Sequence, residues 1–189
     1  MRASAAALSA ILLALVVGGG GYLVARIAFA PPTLLEAGSV WSEVSWPFLR
    51  DGWPKGRAFR CAAGDCGEEV FFYARVKAGL CDCTLGVTSD EDLDRISDAT
   101  LISRDSEPLA AGEPAQFAGM SGWSRGFHLP SGASLLLYGG GRNCNAFVGM
   151  ASVRSDFTPQ ARAALDKLLN GPQMRDWIAS AQGFPKITH

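Results

Sequence analysis

From Ala3 to Ala25 the chain carries no charged side chain. A run of that length is enough to cross a hydrocarbon core as a helix. It ends at Arg26 and is followed by Pro31-Pro32, which no helix passes through easily. Residues 1–30 are therefore expected to form a transmembrane signal anchor. Two rival readings stay open, a cleaved signal peptide and a helix inserted the other way round. Ala28-Phe29-Ala30 has the small-residue pattern of a cleavage site, but Pro31 follows it and the n-region holds only Arg2. The two-residue tail and its free amine place the amino terminus on the cytoplasmic side, since a large following domain translocates largely regardless of its charge. Ala6, Ala10, Ala14 and Gly18 recur every four residues, a ladder that would form a helix-packing face. An alanine-rich composition explains the same ladder without a partner.

The remaining chain is long enough for one domain with a core. The whole protein has 189 residues and a formal net charge of -1, which argues against nucleic-acid binding. Hydrophobic residues make up 48%, too many for a disordered chain. Residues 31–56 read as an extended entry segment rich in Trp and Pro, holding Trp41, Trp46, Phe48 and Trp53. Such a segment fits either the lid of a core or a lipid interface, and the irregular spacing favours the core.

Residues 57–189 are expected to form a disulfide-containing domain. Arg57 to Cys61 and Val70 to Val76 read as strands, separated by a polar loop at 62–65. Leu80 to Val87 reads as a further short strand. Thr88 and Glu91 give a capping-box pattern that opens a helix with Leu93 and Ile96 on its apolar face. Residues 103–116 look like a loop punctuated by Pro108, Gly112 and Pro114. Phe117 to Leu129 suggests a strand, and Ser134 to Val153 a hairpin turning at Gly139-Gly140-Gly141. Thr158 caps a helix with Pro159 in its first turn and Ala161, Leu165, Leu168 and Leu169 on one face. Pro172 starts another, carrying Met174, Trp177 and Ile178, with Gly183 and Pro185 to end it. Strands in the middle and helices at the end make this an α+β domain with an antiparallel sheet and C-terminal helices.

The chain has five cysteines, four of them within 23 residues. In an exported domain that clustering favours disulfides. Cys61, Cys66, Cys81 and Cys83 are the candidates, with Cys61 and Cys66 bridged to each other or one each to the CxC pair. Cys81 and Cys83 face the same side of a strand, near the outer limit for bridging each other. Cys144, in an apolar run, is expected to be a buried free thiol, although pairing with Cys81 or Cys83 would move the free thiol into the cluster. Metal binding is the rival account. The spacing fits no zinc knuckle, but Cys81 and Cys83 form a soft site suited to monovalent copper. No metal or other cofactor is expected.

Catalytic motifs are missing. His128 and His189 are the only histidines, and no G-x-S-x-G, H-E-x-x-H or dinucleotide fingerprint occurs. Gly139 to Gly141 lead into a strand, so they do not cradle phosphate, although Arg142 beside them is a weak anion candidate. Asp90, Asp92 and Asp94 lack the glycine and distal glutamate of a calcium loop and suit a helix start instead. Residues 82–98 carry six acids, and residues 50–60 carry Arg50, Lys55, Arg57 and Arg60. These two patches could dock a partner or each other, and the second is the expectation.

The stretch WPFLRDGWPKGRAFRCAAGDCGEEV, with the run ending GLCDCTLGVTSDEDLDRISD, resembles a group of bacterial exported proteins in which one hydrophobic helix precedes a cysteine-containing domain. The likeness covers about half the chain, rests on the cysteine spacing, and implies membrane anchoring with no reaction attached. The β-rich body is also loosely similar to the photosystem-II-P-protein-like α/β/α sandwich, a likeness of fold alone. The expectation is a non-enzymatic, single-pass protein of the bacterial inner membrane with its domain in the periplasm. It would be an accessory or assembly component that binds a membrane protein complex. The alternative is a periplasmic thiol- or copper-handling protein using Cys81 and Cys83.

Overall fold

Alternating side chains along nine residues of one strand, Val70 to Ala78, decide the architecture. Phe72, Ala74 and Val76 point to one face, and Tyr73, Arg75 and Lys77 to the other. Both sets are largely buried, so this strand must be covered on both sides. The computed structural model describes residues 35, 38–79, 86–142 and 144–181. The strands are β1 (Trp41–Val44), β2 (Arg57–Cys61), β3 (Val70–Ala78), β4 (Glu107–Pro108), β5 (Glu113–Phe117), β6 (Met120–His128), β7 (Ser134–Arg142) and β8 (Asn145–Val153). The helices are α1 (Ala63–Cys66), α2 (Asp90–Ile96), α3 (Pro159–Asn170) and α4 (Pro172–Ala181), with a 3₁₀ turn at Ala99–Leu101.

The described strands form one antiparallel sheet in the order β1-β2-β3-β8-β7-β6-β4, and β5 also pairs with β6. The fold is thus α+β, as the pattern of strands followed by helices indicates. On one face α3 and α4 bury Leu165, Leu168, Met174 and Ile178 against Phe59, Phe72, Phe117 and Phe147. Each large apolar side chain buried this way contributes roughly 1.5–3 kcal/mol. On the other face α2 lays Leu93 and Ile96 over Leu135, Leu137, Val148 and Met150. The segment holding Trp46 and Phe48 covers the β3 end of that second face, with Phe48 packed against the cluster. Trp41 belongs to the helix-side core, where its indole Nε1 donates to the Ala164 carbonyl of α3 at 3.1 Å.

The C-terminal helices follow their sequence signals. Thr158 accepts from the Ala161 N–H, Pro159 opens α3, and Ala161, Leu165, Leu168 and Leu169 are buried. α4 starts at Pro172 and buries Met174 and Ile178; its expected stop at Gly183 and Pro185 lies outside the described residues.

Several local expectations need correction. The 62–65 loop is the start of the one-turn helix α1. α2 is capped by Ser89 and not Thr88: the Ser89 hydroxyl accepts from the Asp92 N–H, and the Asp92 carboxylate accepts from Thr88. The 103–116 loop contains β4 and β5, whose prolines are tolerated because both strands lie at the rim. Gly139 to Gly141 do not make the hairpin turn. They sit inside β7, and the turn comes after Arg142. Packing explains the glycine at 139, since a Cβ there would stand 2.6 Å from Leu93 Cδ1 and 3.1 Å from Ile96 Cδ1. Cys144 takes the left-handed turn position, φ 64°, which glycine or asparagine more often fills.

The expected strand at 80–87 falls mostly on residues outside the description. So do the anchor at 1–30 and its Ala6, Ala10, Ala14, Gly18 ladder. Among the described residues no helix is long and apolar enough to cross a membrane.

Candidate functional site

The most unusual chemistry lies on the sheet face opposite α3 and α4. Arg75 and Lys77 stand two residues apart on β3, so they share that face. Both are buried, at 3% and 6% exposure, on a face otherwise covered by aromatic and aliphatic groups. Two buried cations side by side require carboxylates to hold them. Asp98, itself 5% exposed, supplies the first. It accepts from Arg75 Nε and Nη2, and its Oδ1 lies 2.8 Å from Lys77 Nζ. Lys77 also donates to the Ile96 carbonyl at 2.6 Å, at the C-terminus of α2 where a cation is favoured.

Asp51 supplies the second carboxylate from the loop between β1 and β2. Its two oxygens accept from Arg75 Nη1 and Nη2 at 2.8 and 2.6 Å. This bidentate pair latches the loop to the sheet. The hydrogen bonds from Arg75 hold the Asp51 carboxyl well below the usual carboxylate range, at about 2. Burial works against the charge on Arg75, but the Asp51 and Asp98 carboxylates outweigh it and raise its pKa further above its ordinary value.

Aromatic rings complete the seat of the loop. Trp46 and Phe48 meet edge to face at 5.1 Å, and Phe48 meets Tyr73 at 4.9 Å. Arg75 lies 6.0 Å from the Trp46 ring, and Lys77 Nζ lies 5.5 Å from the Trp53 ring. Gly56 makes this possible, because a Cβ there would fall 2.4 Å from the Trp46 ring and 2.5 Å from the Ala74 carbonyl oxygen. The loop and Arg75 border an open groove of about 720 Å³, and Leu49 projects from its wall with 90% of its surface exposed.

A second groove, of about 630 Å³, lies where β5 and β6 meet the segment leading into α2. Val87, Pro114, Met120 and Trp123 line it together with small or uncharged polar residues, and among the described residues none of its lining side chains is charged. Trp123 is held by donating to Asp90 at 2.8 Å, and Asp90 also accepts from the Gly112 N–H at 3.0 Å. Asp90 and Asp92 are thus committed to structure, as their place at a helix start suggests.

Cys61 and Cys66 are bridged to each other, one of the pairings left open by sequence. The bridge closes the α1 turn, and α1 docks on the start of α3: Thr158 Oγ1 donates to the Cys66 carbonyl and Gln160 Nε2 to the Asp65 carbonyl. Cys144 is not the expected free thiol. It is disulfide-bonded, and its partner lies outside the described residues. Cys81 and Cys83 also lie outside them, as does the Arg142 side chain. No group of three or more metal-ligating side chains occurs among the described residues. His128 is exposed at the end of β6.

Among the described residues the pairs run elsewhere than between the acidic 82–98 patch and the basic 50–60 patch. Arg57 pairs with Glu43 and Arg60 with Glu69, while Asp90 and Asp94 face Arg125. Asp98 reaches β3 instead. Sequence reasoning missed Arg75, Lys77, Asp98 and the projecting Leu49. The available signal was the i, i+2 spacing of two cations in the clearest strand.

Comparison with family models and with curated proteins returns no match for this chain.

Asp98→Asn leaves two buried cations short of a countercharge and is expected to destabilise the domain by about 3–5 kcal/mol. Urea denaturation against Arg57→Ala, which breaks a partly exposed pair worth about 1 kcal/mol or less, measures the difference. The Asp51 latch has a pH dependence of fixed sign. Its folded pKa lies below the ordinary carboxylate value of 3.8, so its contribution is complete above that pH and falls away towards about pH 2. Tryptophan emission from the loop should shift over that acidic window in the native chain and lose that transition in Asp51→Asn.

Proposed function

We propose that this chain is a membrane-tethered exported protein whose folded domain docks onto a membrane protein complex as an accessory or assembly component. The observation that carries the proposal is the disulfide chemistry of the domain. Cys61 and Cys66 are bridged and Cys144 is bonded as well. Disulfides persist in oxidising compartments such as the periplasm and are rare in the cytosol. A charge-free run of 23 residues at the amino terminus supplies both the route out and the tether.

The uncharged groove at Met120 and Trp123 supports the docking role. Within the described residues β5 pairs with β6 alone, which leaves its outer backbone edge available to an incoming strand. Tethering raises the effective concentration of partners in the same membrane, so a modest groove suffices. Co-purification from gently solubilised membranes is expected to recover a stable partner from the wild type and much less from Met120→Asp. A lone monomer in every mild detergent tried would overturn the proposal.

A thiol-handling role for Cys81 and Cys83 is the second reading. Five cysteines cannot all pair within one chain, so with Cys61 bridged to Cys66 and Cys144 bonded an odd cysteine remains for such chemistry. Alkylation of the denatured, unreduced chain is expected to find one reactive thiol. Three or more would mean that the Cys144 bridge is open in the native protein and would favour thiol or copper handling over structural bridging.

A further inference from the structure

The loop between β1 and β2 sorts its charges by pairing. Asp51 is neutralised by its bidentate pair with Arg75, although its side chain stays 31% exposed. Arg50 and Lys55, on either side of it, are exposed and make no ion pair among the described residues. Leu49 stands beside them, 90% exposed, and Trp53 is half-buried at the base. An exposed leucine, two uncompensated cations and a tryptophan with one wet edge are the ingredients of a bilayer-interface contact. The tip is also pre-organised, because the aromatic seat and the Asp51 latch fix its base.

We infer that this tip docks the domain onto the anionic headgroups of the bilayer that holds the tether, with Leu49 entering the interface and Arg50 and Lys55 binding phosphates. The inference rests on the tethered reading above. Charge complementarity selects the occupant: among the described residues the acids of this loop and of β1 are paired, Asp51 with Arg75 and Glu43 with Arg57, which leaves Arg50 and Lys55 to meet a negatively charged surface. Chain length agrees. Arg26 to Val40 is fifteen residues, so β1 begins within about 50 Å of the end of the apolar run even when that segment is fully extended.

Every tryptophan of the chain lies in the exported part, at positions 41, 46, 53, 123 and 177, and none in the apolar run. Quenching of tryptophan emission by brominated lipid therefore reports contact by the domain and not insertion of the anchor. The full chain is reconstituted into vesicles of brominated phosphatidylglycerol and phosphatidylcholine, and into vesicles of brominated phosphatidylcholine alone. Quenching is expected with the anionic vesicles and not the neutral ones. The triple variant Leu49→Asp, Arg50→Glu, Lys55→Glu should lose at least about half of it, as should the wild type in high salt. These positions are on the surface, and circular dichroism confirms that the variant folds. Flotation after an alkaline wash separates the two layers of the argument. A chain that floats but is not quenched overturns the docking and leaves the tether standing. A chain that fails to float overturns both. Equal quenching in neutral vesicles, or in the triple variant, overturns recognition of anionic lipid. Protection of the loop only in native membranes, never in pure lipid, assigns the tip to a protein and overturns the inference.

Discussion

Asp98 is the point on which this side of the domain turns. Adjacent buried cations on one strand repel each other and lose their hydration, so Arg75 and Lys77 cannot stay on the inner face of β3 unless carboxylates come to them. Asp98 answers both cations at once, and it can do so only because α2 ends at Ile96 directly above Lys77. The demand for countercharge thus fixes where α2 ends over the sheet. It leaves one side of Arg75 open, and Asp51 closes that side from a different part of the chain. Positions 51, 75, 77 and 98 are brought together by electrostatic need as much as by apolar burial.

The two faces of the sheet are built on different principles. Under α3 and α4 the contacts are apolar and close-packed, and removing any one large side chain would leave a cavity. On the opposite face apolar packing under α2 gives way to ion pairs and aromatic edges under the β1–β2 loop. A salt-bridged, partly open face is less stable per unit area than a dry one.

Periodicity made much of this legible from sequence. The α3 face of Ala161, Leu165, Leu168 and Leu169, the cap at Thr158 and the β3 run all follow from local rules. The misreadings share a cause, which is that local rules cannot see what packs above a residue. Gly139 looks like a turn glycine until Leu93 and Ile96 are known to lie over it. Thr88 and Ser89 are both good caps, and the choice depends on which lets Asp92 turn back to its partner. Arg75 and Lys77 look like solvated charges until β3 is known to be central, flanked by β2 and β8 and covered on both faces. Cys144 looks like a buried thiol because its neighbours are apolar, yet the left-handed turn it occupies marks it as the end of a hairpin.

The latch also decides the sign of the charge that the loop presents. Within WPFLRDGWPKG the formal charges nearly cancel, and a reading by composition finds only a mild excess of cations. Folding removes the single acid from that sum by turning Asp51 towards Arg75, while proline at 47 and 54 and the packed rings of Trp46 and Phe48 hold the tip apart from its base. What remains outside is Leu49, Arg50 and Lys55. A loop without Arg75 beneath it would leave the Asp51 carboxylate uncompensated, to stand between the two cations as an internal counter-ion. The buried cation therefore shapes the surface through a direct ion pair, by neutralising a negative charge there while its own charge stays beneath.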